Sequence, residues 1–415
     1  MTWRQSLRPL TFLPFRLLLT GRLADSLAHA IAPIALAFAV LDLGGGPTEL
    51  GIVLASRAIP TVVLILFGGV IADRLPRHVV LLVANLFGAA TQFLVAVLLL
   101  AGTAEIWMIA VIEVANGATG AFLFPAASGL TAQTVPADQL QPANALLRLG
   151  HNGSFITGAA AGGILVAVVG SGWAFALDGV LYVVAAALLS RIRLPRTERV
   201  PAGSMVAELR EGWSEFSRRT WLWVIVVAFA FINAATAAGF STLGPIVADE
   251  SIGRTAWGFV VAAQAAGMML GGLLALRARW RRPLLVGTAF VALDAPLMLV
   301  LGLEPQVLLL VLAGILSGIG LEVFQVGWDV SVQSNVPEDK LSRVYAYDWF
   351  GSLLFIPVGQ VLAGPLAAGV GVDTTIASSG VVVLMATAAA LMVPAVRNLR
   401  GSEGTTERPL ATAAE

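Results

Sequence analysis

Twelve long apolar runs follow one another along this chain of 415 residues, and they constrain its fold more than any other feature. A helix needs about 20 mostly apolar residues to cross the hydrocarbon core of a bilayer. The runs are continuous, whereas the strands of a membrane barrel would alternate apolar and polar residues. Charged residues are only 12% of the chain, too few to cover a soluble protein of this size. We therefore predict an all-α polytopic membrane protein. The predicted spans are residues 14–41, 48–72, 79–101, 104–132, 143–169, 172–192, 220–248, 254–277, 283–303, 306–332, 342–369 and 373–396.

The basic residues are concentrated in one set of loops. This set holds Arg74, Arg77, a group from Arg191 to Arg219, another from Arg277 to Arg282, and Lys340 and Arg343. The opposite loops hold Asp42, Glu49, Glu105, Asp249, Glu250, Glu304 and Asp373, with Arg254 as their only cation. Cytoplasmic loops carry an excess of Lys and Arg. We therefore predict a multi-pass protein of the inner (cytoplasmic) membrane with both termini and the long central loop in the cytoplasm.

An internal repeat divides the chain into two similar parts. The sequence from Val135 to Leu140 recurs from Val336 to Leu341, and Gly117 and Gly150 have their counterparts in Gly318 and Gly351. A repeat of about half the chain indicates two pseudo-symmetric six-helix bundles. We assign residues 1–192 to the N-terminal bundle and residues 220–400 to the C-terminal one.

The segment between the bundles, residues 193–219, is polar with a periodic apolar pattern. Met205, Leu209, Trp213 and Phe216 recur every three or four residues, which predicts an amphipathic helix at the membrane surface. A partly ordered linker is the alternative. The tail, residues 401–415, has the composition of a disordered segment.

A loop motif carries a family resemblance. The segment Gly69-Val-Ile-Ala-Asp73-Arg74-Leu-Pro76-Arg77-His78 resembles the signature G-x-L-A-D-R-x-G-R-[RK] of the major facilitator superfamily, with departures at Pro76 and His78. Further stretches are similar to its drug:proton antiporter-3 branch, which exports drugs and siderophores. They are Ala55–Pro60, Phe124–Ala126, Ala143–Leu146, Trp173–Asp178 and the repeated Val-Pro segments.

The resemblance implies the fold of that superfamily, in which the substrate binds near the membrane midplane between the two bundles. It also implies that Gly69, Asp73, Arg74 and Arg77 form a cytoplasmic gate. The simpler alternative is that these charges are ordinary loop residues, but an acid such as Asp73 runs against the basic bias of the loop.

Three glycines of the fifth span resemble a second signature, G-P-x-x-G-G, that is found in antiporters. In this chain Gly158 is followed by Ala159 in place of proline, and Gly162 and Gly163 complete the motif. Small residues allow close helix packing within a bilayer, with or without a functional role.

Ionisable residues inside the bilayer are costly and are therefore candidates for function. In the first span Arg22, Asp25 and His29 are spaced three and four residues apart, so they share one helical face. A carboxylate between a cation and an imidazole can exchange a proton, which predicts a proton relay. The alternative is a salt bridge that only orders the bundle.

The fourth span carries a second candidate acid. The segment from Glu113 to Gly117 aligns with the family motif R-x-x-Q-G, so Glu113 replaces an arginine and Asn116 replaces the glutamine. An acid that is neutral in one conformation and ionised in another is what proton coupling requires. Arg57 of the second span is the expected counter-charge, and a static ion pair is the alternative.

The C-terminal half has its own polar positions. Glu322, Gln325 and Asp329 share one face of the tenth span, and Asn233 and Thr236 of the seventh span are expected to complete the lining of the cavity. Asp178, Asp294 and Asp348 are expected to be structural, as partners of helix breaks or of arginines.

The candidate functions follow from what the chain has and lacks. We expect no enzyme, metal site or cofactor, because no zinc-protease, serine-hydrolase or phosphate-binding motif occurs. Because the phosphate-binding motif for ATP is missing, we expect an ion gradient to supply the energy for transport. Few charges and many Phe, Trp and Met residues suit amphiphilic cargo. We predict a proton-coupled exporter of lipophilic or amphiphilic small molecules, such as a drug, siderophore or natural product. We expect it to be a monomer that moves substrate and protons across the lipid bilayer and binds no nucleic acid. The alternatives are a lysophospholipid flippase and an uptake transporter for polar solutes.

Overall fold

The computed structural model describes residues 7–74, 77–128, 130–136, 139–192, 205–278, 280–337 and 340–400. In these ranges the chain consists of helices joined by short turns and contains no strand. Within the described residues, eleven helices are long and apolar enough to cross a membrane, and a shorter apolar stretch, Ile106–Thr119, belongs to a twelfth. These helices match the twelve predicted spans in order, and we number them span 1 to span 12.

Six spans form the N-terminal half. Span 1 begins after the short 3-10 turn Arg8–Thr11. In order, spans 1 to 6 are Leu13–Asp42, Pro47–Arg74, Arg77–Leu100, Ile106–Ser128, Leu140–Val169 and Ser171–Ser190.

Six further spans form the C-terminal half. Spans 8, 10 and 12 are the helices Arg254–Arg277, Val307–Asn335 and Val372–Met392. Span 7 runs from Thr220 to Ile252, span 9 is the pair Pro283–Phe290 and Ala295–Leu303, and span 11 is the pair Leu341–Leu353 and Ile356–Val370.

Three C-terminal spans depart from a regular α-helix. Span 7 contains two π-helical turns, Ala237–Leu243 and Ala248–Ile252. Span 9 tightens into a 3-10 turn at Val291–Asp294, just before Pro296. Span 11 breaks before Pro357, whose missing N–H removes a helical hydrogen bond. π turns and 3-10 stretches within helices often mark functional regions.

The two halves repeat one packing scheme. In the N-terminal half span 1 packs on spans 5 and 6, span 2 on span 4, and span 3 on span 6. In the C-terminal half the corresponding pairs include span 8 on span 10 and span 9 on span 12. The halves meet along spans 2 and 11 and along spans 5 and 8. The predicted fold of two six-helix bundles is confirmed.

One end of this interface is tightly closed. We call the end that carries the helix Met205–Ser217 the linker end and the opposite end the far end. Near the far end, a Cβ on Gly163 would lie 2.7 Å from the Cα of Gly258. Gly364 likewise packs against Thr48 with no room for a Cβ, and Gly51 does so against the carbonyl of Gln360. Glycines at these crossings bring the backbones of the two halves into contact.

The predicted amphipathic helix is present as Met205–Ser217, while residues 193–204 lie outside the described residues. Phe216 is buried and its ring centroid lies 6.0 Å from that of Tyr347 in span 11. The Lys340 Nζ lies 3.3 Å from the Glu215 Oε2. The helix is therefore docked on the C-terminal half at the linker end.

Candidate functional site

The polar face of span 1 is one linked group. The Arg22 Nη1 donates to the Asp25 Oδ2 over 3.1 Å, and the His29 Nδ1 lies 3.6 Å from the Asp25 Oδ1. The same His29 nitrogen is 2.9 Å from the backbone oxygen of Asp25, and since a carbonyl can only accept, Nδ1 carries the hydrogen. The side chains of Arg22 and His29 are 32% and 35% exposed, against 8% for Asp25. A buried carboxylate thus has a cation and an imidazole that both reach open space.

Two neighbouring spans extend this group through residues that the sequence did not single out. The Ser26 hydroxyl is 2.9 Å from the His151 Nδ1 of span 5. The Tyr182 hydroxyl of span 6 is 3.5 Å from the His29 Nδ1, and the two rings meet edge to face with centroids 5.8 Å apart. His151 and Tyr182 are rare residue types in this chain, and this rarity was the signal that could have marked them as functional. Their positions within spans 5 and 6 gave no reason to place them beside His29.

Glu113 lies in a second group inside the N-terminal half. The Arg57 Nη1 is 3.5 Å from the Glu113 Oε2, so the expected counter-charge is indeed close. Asn116 donates from Nδ2 to the Glu113 Oε1 over 3.0 Å, and the Thr91 hydroxyl donates to the Asn116 Oδ1 over 2.7 Å. Glu113 is 1% exposed. Its immediate surroundings are those of an ion pair, and its role in coupling stays a prediction.

Asp178 departs from the sequence expectation. It was expected to pair with a helix break or an arginine, but among the described residues neither of its carboxyl oxygens has a hydrogen-bond partner. The residue is fully buried in span 6. The charges of Arg57, Glu113 and Asp25 are close enough to act on it. Asp178 therefore belongs electrostatically to the charged groups of the N-terminal half.

In the C-terminal half Glu322 is partly buried, and the cation acting on it is Arg148 of span 5. Arg148 lies in the other half, so its effect on Glu322 crosses the interface, and nothing in the sequence pairs the two residues. Glu322 packs over the small residues Gly271 and Gly272 of span 8. Gln325, one turn further along span 10, is exposed.

Asn233 and Thr236 are hydrogen-bonded to neighbouring spans, and their place in the lining of the cavity stays a prediction. Asn233 donates from Nδ2 to the Ser352 carbonyl over 2.8 Å. The Thr236 hydroxyl donates to the Asp294 Oδ2 over 3.3 Å, and Ser317 donates to the Asp294 Oδ1 over 2.5 Å. Asp294 thus has hydroxyl partners from spans 7 and 10, which is consistent with the structural role expected for it.

Two further acids of this half have aromatic partners. Asp348 accepts from the Trp328 Nε1 over 2.8 Å, and Asp329 accepts from the Tyr345 hydroxyl over 3.0 Å. Asp348 also accepts from the Ser352 hydroxyl over 3.2 Å, so its partners among the described residues are an indole and a hydroxyl, where an arginine or a helix break was expected.

The structure describes the surroundings of the glycine motif but not the side chains of the gate motif. Gly69, Asp73 and Arg74 end span 2 and Arg77 begins span 3, but their side chains lie outside the described residues, so the gate stays a prediction. The glycines of span 5 have defined neighbours. Gly158 packs on Leu27 and Gly162 on Ile31 of span 1, while Gly163 packs on Gly258 of the other half.

An apolar groove of about 430 Å³ lies between spans 2 and 11. Its walls include Ile59, Val62 and Val63 on one side and Leu354, Pro357 and Val358 on the other. Among the described residues, no group of three His, Cys, Asp or Glu side chains could hold a metal ion.

Comparison with known proteins places the chain in a family. The family model described as Major Facilitator Superfamily matches residues 18–351. The multidrug efflux pump Tap of Mycolicibacterium fortuitum is 25% identical over 403 residues, which cover 93% of this chain and 97% of that protein. Macrolide efflux protein A of Streptococcus pyogenes is 22% identical over 401 residues, with the same coverage of both chains.

Solved structures share the fold at low identity. The nucleoside transporter NupG is 17% identical with a TM-score of 0.70, over 91% of this chain and 98% of that one. A bacterial homologue of the human lysosomal transporter Spinster, in an inward-facing and unoccupied conformation, is 15% identical with a TM-score of 0.69, over 97% of this chain and 100% of that one.

Proposed function

Because the chain belongs to the Major Facilitator Superfamily, we propose that it is a secondary transporter that exports lipophilic or amphiphilic small molecules in exchange for protons. The relatives named multidrug efflux pump and macrolide efflux protein support the direction and the cargo class. The scarcity of charge in the twelve spans suits neutral or cationic cargo with large apolar parts.

The observation that carries the proposal is the group around Asp25. Its carboxylate is shielded, while Arg22 and His29 reach open space from the same helical face. A proton on His29 would be stabilised by Asp25, and a cationic substrate competing for Asp25 would displace it. Binding of substrate and binding of a proton then exclude each other, which is the requirement for exchange.

The closed far end supports alternating access with the linker end open to the cytoplasm. The backbones of the two halves touch at Gly163 and Gly258 and at Gly51 and Gln360, all in the far halves of their spans. The excess of basic residues in the linker-end loops favours a cytoplasmic position for that end. Cargo would enter from the cytoplasm in this conformation and leave after the halves rock apart at the far end.

The test is transport by the purified protein in liposomes with an imposed pH gradient. We expect a macrolide antibiotic and the cationic dye ethidium to accumulate against their gradients. Asp25→Asn should abolish this accumulation and leave exchange of labelled for unlabelled substrate intact, because rocking would no longer depend on a proton. Glu113→Gln and Glu322→Gln test the other two candidate acids in the same way.

Asp373→Asn is the matched control, because Asp373 is an exposed acid at the far end. It should transport like the parent protein. If all three variants of the candidate acids concentrate substrate at the parent rate, these acids are structural and proton coupling lies elsewhere. Accumulation of a nucleoside, with no movement of the macrolide or the dye, would favour uptake of polar solutes.

A further inference from the structure

Asp178 is a buried carboxyl group that has no hydrogen-bond partner among the described residues. It is 0% exposed, and neither oxygen has a hydrogen-bond partner among the described residues. An ionised carboxylate in such a place is strongly disfavoured unless a cation or several donors balance it. The state of this group therefore depends on the charges around it.

Among the described residues, those charges come from three spans of the N-terminal half: Asp25 of span 1, Arg57 of span 2 and Glu113 of span 4. Tyr182 of span 6 itself interacts with the same groups, and Arg22, His29 and His151 adjoin Asp25. Span 3, which packs on span 6, contributes no titratable side chain from Val79 to Leu100.

Among the described residues, the two cations of this group already pair with another carboxyl group. The Arg22 Nη1 lies 3.1 Å from the Asp25 Oδ2, and the Arg57 Nη1 lies 3.5 Å from the Glu113 Oε2. The two histidines are also engaged elsewhere, since the Nδ1 of His29 is bound to the Asp25 carbonyl and that of His151 to Ser26. Asp178 is left as the acid without a cation of its own. The electrically neutral arrangement is the one in which Asp178 carries a proton.

Span 6 also carries a residue that contacts the polar face of span 1. Tyr182 follows Asp178 by one helical turn on the same face of span 6. The Tyr182 hydroxyl is 3.5 Å from the His29 Nδ1, and the exposed His29 ring adjoins Asp25. Asp178 itself begins the third turn of span 6 from the far end, about 10 Å into the helix. The group thus lies between the far-end surface and the polar face of span 1.

We propose that Asp178 is a proton-binding residue of the transport cycle. Its carboxyl group takes a proton from water when the far end is open and retains it in the present conformation. On release the O–H bond breaks, the electron pair stays on the carboxylate oxygen, and the proton passes to water at the linker end. Arg57, which already acts on both acids, then balances the Asp178 carboxylate. The movement of this proton during transport rests on the proposed function, but its presence on Asp178 does not.

Infrared spectroscopy of the full chain in lipid nanodiscs tests the proton directly. With aspartate labelled by carbon-13, a protonated carboxyl band should be present at neutral pH and should shift in heavy water. Asp178→Asn should remove this band, whereas Asp294→Asn, the control for a buried aspartate with hydroxyl partners, should leave it. If the band persists in Asp178→Asn, the proposal is wrong. Should that variant fail to fold, Tyr182→Phe should shift the same band, and an unshifted band would overturn the proposal.

Transport measurements separate the proton site from the proposed function. Asp178→Asn should lose accumulation driven by a pH gradient while exchange of labelled substrate continues. Accumulation at the parent rate in a folded Asp178→Asn protein would refute a role for Asp178 in coupling. If the parent protein itself shows no transport driven by a pH gradient, the proposed function fails, and the infrared band still decides whether Asp178 holds a proton.

Discussion

The Arg254 Nη1 lies 2.6 Å from the Asp42 Oδ1, and this ion pair joins the two halves of the transporter at the far end. The same guanidinium binds Asp249 of its own half, with 2.7 Å between Nε and Oδ1, and lies over the ring of Phe38 at 4.9 Å from the centroid. The Ser171 hydroxyl holds the Asp42 Oδ2 over 2.8 Å. The only cation that the sequence places in the far-end loops therefore sits where the halves must part.

Asp42→Asn is expected to favour opening of the far end. A partly exposed ion pair contributes about 0.2–1 kcal/mol, so the open population should rise roughly 1.4- to fivefold. Spin labels on cysteines replacing the exposed residues Thr103 and Thr374, one in each half, would measure the change as a longer distance. Asp249→Asn is the control, because it removes a partner within one half. Equal distance changes in the two variants would contradict a specific role of the Asp42 pair.

Gly163→Ala is expected to destabilise the closed far end. The added Cβ would lie 2.7 Å from the Cα of Gly258 and 2.9 Å from the Arg254 carbonyl, so the two backbones must separate. Overpacking of this kind costs about 1–3 kcal/mol. The thermal unfolding midpoint in detergent should fall. Gly153→Ala on the same helix has nothing within 4 Å of the new Cβ and should leave the midpoint unchanged or slightly raised.

Asp73→Asn tests the predicted gate. If Asp73 forms a pairing at the linker end that must break and re-form in each cycle, its loss should slow transport about tenfold or more, equivalent to roughly 1.4 kcal/mol. Insertion and folding should stay near normal. Leu276→Asp supplies an acid at the equivalent place of the second repeat, where Leu276 is 82% exposed, and should have little effect. Parent-like turnover of Asp73→Asn would leave this residue as an ordinary loop acid.

The docking of the helix Met205–Ser217 should weaken in acid. The hydrogen bond from Arg219, together with the Lys340 ammonium, holds the pKa of Glu215 below its usual value. Because the pKa is depressed in the folded state, the stabilisation is complete at neutral pH and is lost as the pH falls through that lowered pKa. Glu215→Gln should therefore speed amide hydrogen exchange in residues 205–217 at about pH 7, and the difference from the parent protein should vanish once the pH lies well below the lowered pKa of Glu215. An identical difference at both pH values would contradict the linkage.

The orientation can be tested with single cysteines, since the natural chain has none. Thr103 lies exposed in the turn between spans 3 and 4, and Ser217 is exposed at the end of the linker-end helix. A membrane-impermeant thiol reagent should label Thr103→Cys from outside intact cells and Ser217→Cys only after the membrane is opened. The reverse pattern would invert the predicted topology and place the gate motif outside.

The sequence of this protein determined the features that depend on one helix at a time. The twelve spans follow from apolar length, because the bilayer sets the length of any helix that crosses it. The shared face of Arg22, Asp25 and His29 follows from the helical period, and the structure brings these three side chains together. The two bundles follow from the repeat, because similar sequences pack in similar ways.

The tertiary structure alone decided which groups meet across helices. Arg57 lies beside Glu113, Arg148 of the opposite half acts on Glu322, and Asn233 is hydrogen-bonded to span 11. Asp178 was expected to have a partner, and its isolation among the described residues appears only when the neighbours from three other spans are in place. The physical reason is that apolar periodicity and small residues permit many helix pairings of similar energy in a bilayer, where lipid is as apolar as the helix faces. The charge that a buried group meets is set by the pairing that the whole bundle adopts, and no single span encodes it.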